Sequence, residues 1–163
     1  MRYWFIITLF FFLMNGQAQE LSISQIRELY LEASFDEDAA KKLFELTENS
    51  SIETEYLRYT YYAVSQMLQS KFSINPLDKL KAFKQGKEKL EKVINLYPED
   101  IELRFLRFCV QDGTPQFLDY KLNMKEDSDL INKTISTSSQ ELQKFITPIF
   151  KSLNDGRTSY SSK

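Results

Sequence analysis

From residue 22 onward the apolar positions recur at steps of three and four, the period of helices that bury one face. Ile23, Ile26, Leu29, Tyr30 and Ala33 predict a first helix over residues 22–33, with Ser22 and Gln25 at capping-box spacing. Asp36 or Asp38 opens a second helix carrying Ala39, Ala40, Leu43, Phe44 and Leu46, closed by a polar loop over residues 47–51. A third begins at Ser50 or Ser51, with Glu53 placed to close a capping box from Ser50, and runs to about Phe72. The fourth has Asn75 as N-cap and Pro76 in the first helical position, then Leu80, Phe83, Gly86, Leu90, Val93 and Tyr97 before Pro98 ends it. Gly86 lies on that apolar stripe, which predicts a neighbouring helix close to its backbone.

Asp100 caps a fifth helix over residues 101–112, with Gly113 placed to close it in the left-handed conformation. A short turn or helix through Phe117, Leu118 and Tyr120 follows, then a weaker helix over residues 125–135. Ser138 with Glu141 opens a last helix through Leu142, Phe145, Ile146, Ile149, Phe150 and Leu153, kinked at Pro148. Alternating apolar runs joined by hairpin dipeptides are absent from the sequence. The pattern predicts an all-α fold of antiparallel helical hairpins.

Ahead of the helices, Arg2 precedes an uncharged apolar run over residues 3–14, and Gly16 and Ala18 supply the small residues that a signal peptidase reads. That run is shorter than the roughly 20 residues of a membrane span. Residues 1–18 therefore read as a cleavable secretory signal cut after Ala18, and the expected location is the periplasm or the exterior. Residues 19–153 form the expected single helical domain. Residues 154–163 are polar and unpatterned, and read as a disordered tail. No later run reaches spanning length, so no membrane span is expected after cleavage.

Composition narrows the chemistry. Cleavage leaves 145 residues with 20 basic against 23 acidic side chains, a balance without the basic excess of a nucleic-acid binder. The chain has no histidine, which removes Ser-His-Asp and Cys-His nucleophiles and imidazole zinc sites. Its single cysteine, Cys109, excludes an internal disulfide and reads as a small buried hydrophobe. Gly86, Gly113 and Gly156 are too scattered for a phosphate-cradling loop. Asp36-Glu37-Asp38 and Asp127-Ser128-Asp129 begin like calcium loops but lack the glycine and the distal glutamate. No cofactor, metal or catalytic residue is assigned. Asn49-Ser50-Ser51 and Asn132-Lys133-Thr134 match the N-glycosylation pattern, which matters only in a eukaryotic secretory pathway.

Gly86, Leu90, Val93 and Pro98 match the small–apolar–apolar–proline spacing of the second helix of a tetratricopeptide repeat. Over residues 53–112 the chain resembles that family, and with its export signal it resembles small exported helical proteins of Bacteroidota. The first-helix signature of the repeat is missing, and three clean copies of its period are not found. The resemblance implies a short α-solenoid or bundle that binds a protein or peptide in a groove, in the periplasm, without catalysis.

Two surfaces are candidates for that contact. On the fifth helix Asp100, Arg104, Arg107 and Gln111 share one side at about 100° per residue. The arginines are open to three readings: a solvated edge with an Asp100–Arg104 pair, a tie to the segment over residues 114–123, or a grip on a partner's carboxylate. The third helix holds Tyr56, Tyr59, Tyr61 and Tyr62, which cannot all share one face. Tyr59 and Tyr62, one turn apart, read either as core edges or as an aromatic binding surface. The leading expectation is a non-enzymatic protein- or peptide-binding module, with Arg104, Arg107, Gln111, Tyr59 and Tyr62 as contact residues. The alternative is a hydrolase of cell-wall or polysaccharide substrates acting through paired carboxylates. An inhibitor or chaperone of another exported protein is a third possibility.

Overall fold

A computed structural model describes residues 21–161, with side chains through residue 156. The predicted signal over residues 1–18 lies outside the described residues. Seven α-helices, α1 (Ile23–Ala33), α2 (Glu37–Thr47), α3 (Tyr56–Phe72), α4 (Pro76–Leu96), α5 (Ile101–Gly113), α6 (Met124–Thr134) and α7 (Gln140–Ser161), make the described chain all-helical. Single 3₁₀ turns stand at Gln116–Leu118 and Ile135–Thr137. Four helices start where short polar side chains satisfy free N–H groups. Ser22 forms the full capping box with Gln25, and Asp36, Asn75 and Asp100 accept from the first turns of α2, α4 and α5.

The third helix starts later than its pattern predicts. Ser50 donates to the Thr47 carbonyl, finishing α2, and Ser51 accepts from the Glu53 N–H inside a turn. That turn sinks Ile52 into the core, and α3 begins only at Tyr56, without a side-chain cap. The last helix is capped by Ser139, not Ser138: the Leu142 N–H donates to Ser139 Oγ, while Ser138 closes the preceding 3₁₀ turn. Glu141 is thereby released to meet Arg27. α7 is continuous through Pro148 and runs past Leu153, where the apolar stripe stops, to Ser161. Helix continuation needs only local hydrogen bonds, whereas the apolar stripe reports packing, so the helix outruns the stripe.

Of the two glycines expected to have a backbone role, Gly86 has it and Gly113 does not. A Cβ on Gly86 would lie 2.5 Å from the Ala63 carbonyl oxygen and 2.6 Å from Met67 Cγ, so α3 and α4 touch backbone to backbone there. Gly113 is not left-handed; it is the last residue of α5, and a Cβ there meets nothing within 4 Å. Opposite outcomes follow for one substitution. Gly86→Ala is expected to destabilise by about 1–3 kcal/mol despite its better helix propensity, since α3 and α4 must part. Gly113→Ala is expected to stabilise by up to about 1 kcal/mol. Urea unfolding of the two variants beside the natural protein checks both signs.

The odd-numbered helices run parallel and stack in sequence, α1 on α3, α3 on α5, α5 on α7. Arg58 donates to the Leu21 carbonyl and Lys71 to the Ser34 carbonyl, both across a separation of 37 residues. Tyr56 meets Asp100 and Tyr61 meets Glu102 across 44 and 41 residues, which sets α5 parallel to α3. Phe105 packs on Phe145 and Phe108 on Phe150, aligning α7 with α5. The even helices return antiparallel: Gln66 meets both Gln85 and Lys89 between α3 and α4, and Gln111 with Asn123 and Arg107 with Asp127 join α5 to α6. One apolar cluster lies among α1 to α5 and a second among α5, α6 and α7. α5 serves both, with Leu103 and Leu106 in the first and Ile101, Phe105 and Phe108 in the second. Cys109 is only partly buried, at the margin of the second cluster, rather than enclosed.

Candidate functional site: the charged sides of α5 and the tyrosine seam on α3

Arg104, Arg107 and Gln111 do share one side of α5, but that side is buried. The guanidinium of Arg107 donates to both oxygens of Asp127, Nε to Oδ2 at 2.8 Å and Nη2 to Oδ1 at 2.6 Å. Its third arm reaches Glu91 of α4 at 2.8 Å. Arg104 donates to Asp127 at 3.0 Å, Glu126 at 2.7 Å and the Pro98 carbonyl at 2.8 Å. Tyr120, from the connection after α5, donates to Glu91. Asp127 is fully enclosed, and the two arginines with Asp127, Glu126 and Glu91 form a hub that ties α4, α5 and α6 together. Burial works against the charge on Arg107, yet Asp127 and Glu91 hold its pKa above the ordinary value. Glu126 is held below the usual carboxylate range by its hydrogen bond from Arg104.

An Asp100–Arg104 pair is not formed. Asp100 accepts from the N–H groups of Glu102 and Leu103 and from the Tyr56 hydroxyl, at 3.0 Å for the last. The tie to the 114–123 segment is made by Gln111, whose amide reaches Asn123 at 3.3 Å, while the arginines bind carboxylates in the first turn of α6. Gln111 Oε1 is buried without a hydrogen-bond partner.

Sequence periodicity missed the second charged cluster of α5. Glu102 is 3% exposed and accepts from Arg27 at 2.8 and 2.6 Å and from the Tyr61 hydroxyl at 2.6 Å. Arg27 also bridges to Glu141, so α1, α3, α5 and α7 share one network. The available signal was a carboxylate inside an otherwise apolar turn, which requires a buried cation; the sequence does not say which arginine supplies it.

The four tyrosines of α3 separate. Tyr61 is core, and Tyr56 stacks on Tyr97 at 4.1 Å between ring centres. Tyr59 and Tyr62 are half-buried on the side flanked by α2 and α4, 5.9 Å apart and edge to face. Phe44 of α2 lies 5.4 Å from Tyr62, and Lys89 of α4 sits 5.2 Å from the same ring while donating to Gln66. The result is an aromatic seam spanning three helices, with a cation and two amides along its edge.

Two shallow hollows mark the surface. One is lined by residues 21–23 and 54–58 and holds the single carboxylate Glu55; the other is lined by Gln140, Gln143, Lys144, Thr147 and Pro148 and holds none. Among the described residues no group of three acidic or cysteine side chains is placed to hold a metal ion, and no helix is long and apolar enough to cross a membrane. No protein-family model, curated protein or solved structure matches the chain.

Proposed function

We propose that this chain is an exported, non-enzymatic module of helical hairpins, tetratricopeptide-like in plan, that binds a protein or peptide partner through the Tyr59–Tyr62–Phe44 seam. The seam carries the reading: large amphipathic rings, half exposed and braced from three helices, are the residue types that anchor protein interfaces. The hairpin plan is supported by the parallel odd helices and by the fates of the motif residues. Gly86 gives the close helix approach and Leu90 and Val93 are fully buried. The inner side, where a tetratricopeptide relative holds its ligand, is occupied by Phe145 of α7, which packs on Tyr30 of α1 and Phe105 of α5. Contact is therefore assigned to the opposite side of α3. Arg104 and Arg107 spend their donors inside the molecule and support the seam only through the fold.

Neither of these two hollows gathers two carboxylates, as the hydrolase reading requires of its cleft. The binding reading is tested by placing a photo-crosslinking phenylalanine at position 59, 62 or, as control, at the exposed Lys133 of α6, in cells that make the protein. The expected result is one discrete adduct from positions 59 and 62 and none from 133. Tyr59→Ser with Tyr62→Ser should then weaken the captured partner at least about thirtyfold. Adducts missing at 59 and 62, or equal at 133, would contradict the assignment.

A further inference from the structure

The α3–α4 hairpin ends in a tip with an unusual surface. Residues 74–81 are all exposed, although they include the first turns of the longest helix flanking α3. Ile74 is 99% exposed and Leu77 77% exposed. Around them residues 71–84 carry four lysines, Lys71, Lys79, Lys81 and Lys84, against the single acid Asp78. Leu80 and Lys81 lie three and four residues after Leu77, and Lys84 lies four and three after them, which sets apolar and basic side chains on one side of α4. Phe35, at the α1–α2 turn, stands 5.9 Å from the Lys71 ammonium and adds a further exposed apolar side chain beside the tip.

We infer that this tip docks on an anionic phospholipid surface. Its exposed apolar groups are separated by lysines, which suits neither a small ligand nor a contiguous apolar protein interface. It suits a bilayer edge, where Ile74 and Leu77 enter the acyl boundary and lysine stems lie along apolar surface while their ammonium groups meet lipid phosphates. Charge complementarity selects anionic lipid, since each lysine near such a surface strengthens binding about fivefold. Asp36, Glu37 and Asp38 on the adjoining turn repel the same surface, which restricts contact to the α3–α4 tip rather than the whole end of the molecule.

The test is vesicle flotation with the chain from Gln19 onward, which contains the whole described helical body and lacks the apolar run over residues 3–14. Binding is expected to mixed phosphatidylglycerol–phosphatidylcholine vesicles, weakened by salt, and absent with phosphatidylcholine alone. Lys79→Glu with Lys81→Glu should weaken it at least twentyfold, roughly the share of two lysines, and Ile74→Ser with Leu77→Ser should abolish it. All four residues are exposed, so melting temperatures should not move. Tyr59→Ser with Tyr62→Ser should leave vesicle binding intact, which separates this surface from the seam. No binding to anionic vesicles, equal binding to neutral ones, or binding unchanged in the tip variants would overturn the inference.

Discussion

Raising the pH beyond 10 is expected to unfold the protein cooperatively, with tyrosinate absorbance and loss of helix rising together. Tyr30, Tyr61 and Tyr120 are buried and keep their protons in the folded state: burial raises each pKa, helped by Cys109 beside Tyr30, Glu102 beside Tyr61 and Glu91 beside Tyr120. Tyr56 moves the same way, to about 12, through burial and Asp100. An unfolded chain loses these protons near pH 10. Above that value it binds fewer protons than the folded chain, so stability is whole below pH 10 and falls as pH rises. Three buried phenols together remove about 4 kcal/mol per pH unit. Against a typical domain stability of about 5–15 kcal/mol, unfolding within roughly one to four units above pH 10 follows. Circular dichroism and absorbance recorded on one alkaline titration check it. Gradual ionisation of all tyrosines with helix retained would place the phenols in water.

Asp127→Ala is expected to cost about 3–5 kcal/mol, which in a chain of this size lowers the melting temperature by roughly 10 °C or more. The carboxylate is fully enclosed and accepts three charge-assisted hydrogen bonds from two arginines that are themselves buried. Removing it leaves Arg107 with Glu91 alone and sets Arg104 and Arg107 side by side with reduced compensation. Removing the charges together avoids that penalty. Asp127→Leu combined with Arg104→Met and Arg107→Met should recover most of the lost stability, because a well-packed apolar replacement needs no desolvation of ions. Glu91 keeps the Tyr120 hydroxyl and partial access to water in that variant. Calorimetry on the single and triple variants separates an ionic hub from a merely crowded one.

Local chemistry made much of the fold legible. Ser22, Asp36, Asn75 and Asp100 cap helices because a short acceptor beside free N–H groups needs no tertiary partner. Ser50 and Glu53 show the limit: their spacing suits a cap, but burying Ile52 sets a different turn. Gly86 was readable since glycine on an apolar stripe has few other uses, whereas Gly113, beyond any stripe, gave no such constraint. The candidate surfaces were less legible. Periodicity shows that Arg104, Arg107 and Gln111 share a side of α5 but not what covers that side. The cover is α6, whose short run of apolar positions hid Asp127 among residues resembling a truncated calcium loop. The split of the tyrosines depends likewise on α2 and α4, which lie across other turns of the chain.

The arginines of α5 hold the molecule together through Asp127. Thermal denaturation of Arg104→Ala with Arg107→Ala tests this role most directly. A fall of roughly 10 °C or more is expected, because Asp127 would be left enclosed without a cation. A melting temperature within about 2 °C of the natural protein would contradict it, for a change that small corresponds to no more than about 1 kcal/mol and belongs to solvated side chains.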